Sequence, residues 1–246
     1  MKAYNFFAGV YESFMTNIPY ADWIDRISGY LHDKKIEPGA SILEVGCGTG
    51  SFSRLLAIDG YNVYGIDLSP QMIRQAKKKK NGLCVEYHVA DMRDFKLNES
   101  FDAVISVCDS MNYLCTINDL NKTFLNVSKA IKKGGIFLFD MKTQVFYKKL
   151  GDGVFTDEIK NCKYIWENNY DENTGNNFYS IDFFKKNLFG YRRYTEEHVQ
   201  HAFSIQEVID AAQNNGFLTV DILDEDMNKL SNQECDRIYY VFRMGE

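Results

Sequence analysis

The 246-residue sequence is poor in proline, with three in all, and has no apolar run approaching the ~20 residues that a bilayer span needs. No apolar stretch follows Met1-Lys2-Ala3-Tyr4-Asn5, so no secretory signal and no membrane partner are expected. The six cysteines (Cys47, Cys84, Cys108, Cys115, Cys162, Cys235) form no C-x-x-C pair. Reduced thiols in a cytoplasmic protein are the expectation. With a net charge of −6 there is no broad basic field to neutralise phosphates, and a nucleic-acid partner is not expected. The single basic run, Lys77 to Lys80, falls at a predicted helix end, where cations complement the helix dipole in solvent. Internal repeats and low-complexity tracts are absent.

What is present is material for a large core: 45% apolar and 15% aromatic residues, enough for one α/β domain with an inserted subdomain. Phe6, Phe7, Val10, Tyr11 and Phe14 recur at helical steps, and a second helix is expected from Tyr20 to about Leu31, before Pro38-Gly39 breaks the chain. Then apolar runs alternate with helical patterns. Strands are expected at 41–45, 61–67, 84–90, 101–107 and 136–140, with Ser69-Pro70 opening one helix and another over 117–131. Such alternation predicts a Rossmann-like, seven-stranded, mostly parallel sheet with helices on both faces. After residue 141 the rhythm fails. The turn cluster 171–176 lies between alternating aromatic stretches, so 164–170 and 178–184 should pair as an antiparallel hairpin. A helix capped by Ser204 and strands at 217–223 and 237–244 complete the chain. The expected division is a helical cap (1–37), a core (38–142), a β insertion (143–200) and a C-terminal return to the core sheet (201–246).

The first strand ends in Glu44-Val45-Gly46-Cys47-Gly48-Thr49-Gly50 and runs into a helix. Glycines there permit positive φ and close backbone approach, and the helix start offers free N–H groups. The dinucleotide fingerprint G-x-G-x-x-G would need a third glycine where Ser51 stands. Two more acids follow at strand ends. Asp67 is placed to accept from ribose hydroxyls. Asp91, in Ala90-Asp91-Met92, could accept from an exocyclic amine.

Glu44-x-Gly46-x-Gly48-x-Gly50, Gly65-Ile66-Asp67-Leu68-Ser69-Pro70, Ala90-Asp91-Met92, Phe101-Asp102-Ala103-Val104-Ile105 and Lys132-Lys133-Gly134-Gly135 together resemble the class I S-adenosylmethionine-dependent methyltransferases over residues 40–140. The resemblance implies a methionine moiety on the glycine turn (with Cys47 and Cys108 nearby), ribose on Asp67, adenine at Asp91 and Leu68, and Met72 and Met92 flanking the ring. The N-terminal helices resemble those of small-molecule methyltransferases, including sugar N-methyltransferases, which implies that Tyr11 and Tyr20 close over the cofactor. Core packing is the competing role for both.

Methyl transfer needs placement and dehydration more than a fixed catalytic residue, so no catalytic side chain is assigned. The segment Cys108-Asp109-Ser110-Met111-Asn112-Tyr113 should face cofactor and acceptor, with Asn112, Tyr113 and His198 as acceptor contacts. Asn17-Ile18-Pro19-Tyr20 copies a nucleic-acid methyltransferase tetrad but precedes the glycine turn, and reads as a loop. His198-x-x-His201 lacks a third metal ligand, and on a strand its histidines face opposite ways, so no metal is expected. His88 should be packed inside its strand. The aromatic hairpin (Tyr164, Trp166, Tyr170, Phe178, Tyr179, Phe183) is expected to form a lid over the acceptor, the alternative being a homodimer interface. The expected function is methylation of N or O on a small metabolite. An NAD-dependent oxidoreductase and a non-catalytic S-adenosylmethionine-binding protein are the alternatives.

Overall fold

The computed structural model describes residues 7–9, 11–14, 20–159, 161–232 and 234–246. Phe6, Val10 and the Asn17–Pro19 segment lie outside them, as does the side chain of Phe7.

Seven strands form one sheet: β1 (Ser41–Val45), β2 (Asn62–Asp67), β3 (Val85–Val89), β4 (Phe101–Ser106), β5 (Ile131–Lys142), β10 (Phe217–Leu223) and β11 (Arg237–Met244). Their spatial order is β10-β11-β5-β4-β1-β2-β3. Pairing is parallel from β5 through β3, while β11 runs antiparallel to both β5 and β10. The chain leaves β1 towards β3 and then returns to place β4 on the other side of β1. A crevice therefore opens beyond the carboxyl ends of β1 and β4, the usual ligand position of such sheets.

The strands read as continuous apolar runs because both faces are covered. Ile42, Ala103, Ile105, Ile136 and Leu138 pack with Ile24, Ile27 and Leu31 of α2 (Tyr20–Asp33) and Phe52 and Leu56 of α3 (Ser51–Ile58). Their neighbours Leu43, Val104, Phe137 and Phe139 pack on the opposite face with Phe124 of α5 (Ile117–Ala130) and Val208 of α7 (Ile205–Asn214). Helix starts follow their capping residues. Ser69 accepts from Met72 N before Pro70 opens α4 (Pro70–Lys78), and Ser204 with Glu207 forms a capping box for α7.

The insertion is larger than the expected hairpin. The strands β6 (Gly153–Ile159), β7 (Cys162–Asp171), β8 (Asn176–Asn187) and β9 (Gly190–His201) form a four-stranded antiparallel sheet in that order. The expected hairpin is its β7–β8 pair, with Tyr170 opposite Asn177. β6 was not anticipated because it is exposed along almost its whole length and carries no alternation. A seven-residue helix, α6 (Gln144–Leu150), was also missed, although Thr143 caps it. Two further expectations are corrected. β5 begins at Ile131, not 136, because Gly134 at φ 74° lets Lys132–Gly135 form an irregularity within the strand. His88 is not packed inside; it stands on the exposed face of β3, stacked on Tyr64 at 4.5 Å.

Candidate functional site

β1 delivers the chain to Gly46, whose φ is 75°. The amides of Gly46 and Cys47 donate to Ile66 O at 2.8 and 3.0 Å, locking the turn against β2. A Cβ on Gly46 would meet Ser110 Cβ and Oγ at 2.6 Å, so the turn can lie against the loop after β4 only without a side chain. At Gly48 (φ 54°) a Cβ would meet nothing within 4 Å, which leaves this part of the turn open. The turn floors a narrow chamber of about 60 Å³, lined also by Glu44, Asp67, Cys108 and Tyr113 and walled by Tyr11 and Tyr20. A wider cleft of about 660 Å³ adjoins it, and Gly46, Asp67, Ser110 and Tyr113 line both.

The chamber is acidic. Glu44 is buried and accepts a hydrogen bond from the Ser53 hydroxyl. Burial pushes its carboxyl up to about 8, reinforced by the neighbouring Asp67 charge and opposed by Ser53 and Arg54. Asp67 accepts from Gly48 N at 2.9 Å and Ser69 N at 2.8 Å, yet burial still raises its pKa. The Cys47 thiol is pushed up by burial, then by both acids. A ligand with cationic centres would relieve this repulsion. A pyrophosphate would aggravate it.

In the wider cleft Leu68, 65% exposed, shares the lining with Met92. Met72, expected beside Met92, is instead buried and lines the narrow chamber. It sits in the first turn of α4. Asp91 is at the cleft as expected but is gripped by Arg93, whose Nη2 lies 2.7 Å from Oδ2 and whose Nε lies 3.0 Å from Oδ1. Arg93 holds the Asp91 carboxyl below its usual range.

The loop after β4 is held in an uncommon shape, with Cys108 and Asp109 both left-handed at φ 60° and 53°. Asp109 secures it. Its amide donates to Asp140, and its carboxylate meets Lys142 at 3.3 Å, Arg237 at 3.2 Å and the Gln200 amide at 3.0 Å. Burial would raise the Asp109 pKa, but the two cations overcome it and hold the group well below the ordinary value. Cys108 lines the chamber with its thiol pushed up to about 12 by burial and by Asp109.

Asn112 is not an acceptor contact. It is fully buried, its Nδ2 donates to Lys142 O and His201 O at 3.0 and 2.8 Å, and its Oδ1 accepts from Lys142 N at 2.9 Å. It braces the loop to β5 and β9. Tyr113 does face both cavities, and its hydroxyl lies 2.6 Å from the Tyr179 hydroxyl and 3.1 Å from His198 Nδ1. His198 is buried, stacked on Tyr179 at 4.7 Å, with Nε2 3.5 Å from Glu196 Oε2. Tyr113 links it to the chamber. His201 instead bonds Asn176 at 2.8 Å. Among the described residues no group of three or more His, Cys, Asp or Glu is placed to hold a metal.

Glu12 escaped the sequence reading. From α1 (Tyr11–Phe14) it accepts from Thr49 Oγ1 at 2.9 Å and pairs with Lys79 at 2.5 Å, so the residue beside Tyr11 is clasped to the glycine turn. Lys79 is thus an ion-pair partner, and not only the solvated helix end expected of the lysine run. No spacing rule signals such a contact between segments 67 positions apart (79 − 12).

A glycine turn at the sheet's switch point, with acids at the ends of β1 and β2 and beyond β3, defines the class I, S-adenosylmethionine-binding methyltransferase arrangement. Residues 42–135 match the family described as methyltransferase domain. YqeM of Bacillus subtilis (strain 168), named as a methyltransferase, is 33% identical over 237 residues, 94% of each chain. The crystal structure of an S-adenosylmethionine-dependent methyltransferase from Clostridium acetobutylicum ATCC 824 superposes over 100% of both chains with a TM-score of 0.86 at 27% identity. A dTDP-4-amino-2,3,4,6-tetradeoxy-D-glucose N,N-dimethyltransferase of Saccharopolyspora spinosa is 29% identical over 125 residues, 51% of this chain and 49% of its own. The chain belongs to the S-adenosylmethionine-dependent methyltransferase family. The oxidoreductase and the non-catalytic binder, weighed above, receive no support from these relatives. Among the described residues no helix is long and apolar enough to cross a membrane.

Proposed function

We propose that this methyltransferase acts on a nitrogen or oxygen of a small-molecule metabolite, and that Tyr113 receives the acceptor's proton. S-adenosylmethionine, when bound, supplies an electrophilic methyl group on a cationic sulfur. The chamber fits such a group: it is cradled by glycines and holds two buried acids whose ionised forms a cation would favour. In this reading Glu44, Cys47, Gly48 and Gly50 surround the methionine part, Asp67 holds ribose, and Leu68, Asp91 and Met92 frame adenine. Tyr11 and Tyr20 exclude water above, with Cys108 below.

The observation that carries the acceptor assignment is the chain Tyr113–His198–Glu196. Only its phenol lines the cavities, while its histidine and glutamate are buried behind it. The Tyr113 oxygen would receive the proton that the acceptor's N or O gives up on methylation, and the phenol proton would pass to His198 Nδ1, 3.1 Å away. Glu196 steadies the imidazolium. The amino-sugar N,N-dimethyltransferase relative favours an amine on a sugar-like metabolite as the acceptor.

Protein incubated with methyl-labelled cofactor and a fractionated metabolite pool should yield labelled small products. Label appearing only on protein or nucleic acid would refute the small-molecule assignment. With a responsive fraction identified, Tyr113→Phe should lower turnover about 10²–10⁴-fold, the range of a general base, with cofactor affinity nearly unchanged.

A further inference from the structure

The β8–β9 hairpin has two ends of opposite character. Its base, where Asn176 pairs with His201, lies beside the site through His198 and the Asn112 brace. Its tip, where Asn187 pairs with Gly190, carries Lys185-Lys186-Asn187-Leu188-Phe189-Gly190-Tyr191-Arg192-Arg193, all of it exposed. Leu188 and Phe189 are 96% and 98% exposed, beyond any other large apolar residue among those described, and Tyr191 is 52% exposed. Within the turn, Asn187 Oδ1 accepts from Phe189 N at 2.8 Å. Four of the nine residues are cationic and none is acidic, in a chain whose net charge is −6.

We propose that this tip docks the protein on an anionic lipid surface, Leu188 and Phe189 entering the interfacial layer while Lys185, Lys186, Arg192 and Arg193 meet the head groups. Two features of the tip favour lipid over protein. Nine residues are too few for a stable protein interface, which takes about 20–30 residues a side, whereas a small apolar tip backed by cationic side chains combines the two signals that hold a protein on an anionic bilayer. A second copy joined tip to tip would set Lys185, Lys186 and Arg192 of each chain against those of the other. Arg193 keeps Asp182 as a partner at 2.6 Å and Arg192 lies over the Tyr194 ring at 5.1 Å, which holds both guanidinium groups beside the tip. The expectation of no membrane partner rested on the want of a spanning run, which a surface contact does not require. From Tyr179 to the tip is eight residues of strand, about 26 Å, so docking would leave the pocket clear of the bilayer.

The test is sedimentation of the full chain with phosphatidylcholine vesicles, with and without about one-third phosphatidylserine. Binding to the anionic vesicles alone, weakened by salt, is expected. Lys186→Glu with Arg192→Glu should reduce it by at least about fivefold per residue, and Leu188→Ser with Phe189→Ser should lower it tenfold or more. Titration with S-adenosylmethionine, unchanged in these variants, establishes that they are folded. No vesicle binding, or equal binding to neutral vesicles, overturns the proposal. So does a wild-type dimer that Leu188→Ser/Phe189→Ser converts to monomer.

Discussion

Asp67 already accepts from two backbone amides and still lines both cavities. A ribose diol would add charge-assisted hydrogen bonds to a carboxylate already oriented by the turn. Asp67→Ala should therefore weaken S-adenosylmethionine binding by about 1.5–3 kcal/mol in an isothermal titration, a loss of roughly ten- to 150-fold. Unchanged affinity would remove Asp67 from the cofactor site. Gly46 is constrained by space as well as by φ. Gly46→Ala should prevent the turn from closing on Ser110, with a large loss of binding in the same titration and helix content by circular dichroism retained. These residues could be read from sequence because each sits at a strand end, where chain order alone fixes its place in the crevice. Glu12 and Arg237 could not, since their partners come from distant segments.

The loop after β4 shows how one buried amide can hold three elements in place. Asn112 satisfies Lys142 N and O of β5 and His201 O of β9, and no other described side chain bonds those backbone atoms. Asn112→Ala strands buried groups, and each unmade bond of this kind costs ~1–3 kcal/mol. Urea unfolding should show a loss of that order. An acceptor contact would behave otherwise, raising KM while leaving stability untouched. The central strands were legible because burial on both faces makes them unbroken apolar runs. Asn112 was misread because its position, beside Tyr113 after β4, is shared by braces and contacts alike. β6 and the outer part of β9 were missed for the reverse reason: strands with solvent on both faces have no period to detect.

The site's acidity has a consequence for the stability of the entire chain. Glu44 has an ordinary pKa of 4.5 when unfolded and about 8 when buried beneath the glycine turn. The folded state therefore binds the extra proton between these values, and stability must fall as pH rises through that window, by at most about 1.4 kcal/mol per unit. Its contribution is complete below pH 4.5 and gone above about 8. Asp67, also raised, acts with the same sign over its own range. Asp109, held low by Lys142 and Arg237, has the opposite sign, and its contribution is lost only as the solution becomes strongly acidic. Thermal melts of the cofactor-free protein should thus drop in Tm from pH 5 to 8, and Glu44→Gln, which keeps the shape without the titration, should flatten the drop. S-adenosylmethionine should flatten it as well, because a cationic ligand favours the ionised carboxylate and binds only the folded chain, adding RT ln(1 + [L]/Kd) of stability. A melt profile equally steep in Glu44→Gln would place the titrating group elsewhere. If wild type flattened with ligand while the variant bound equally well, Glu44 would be packing against the turn without sensing the ligand's charge.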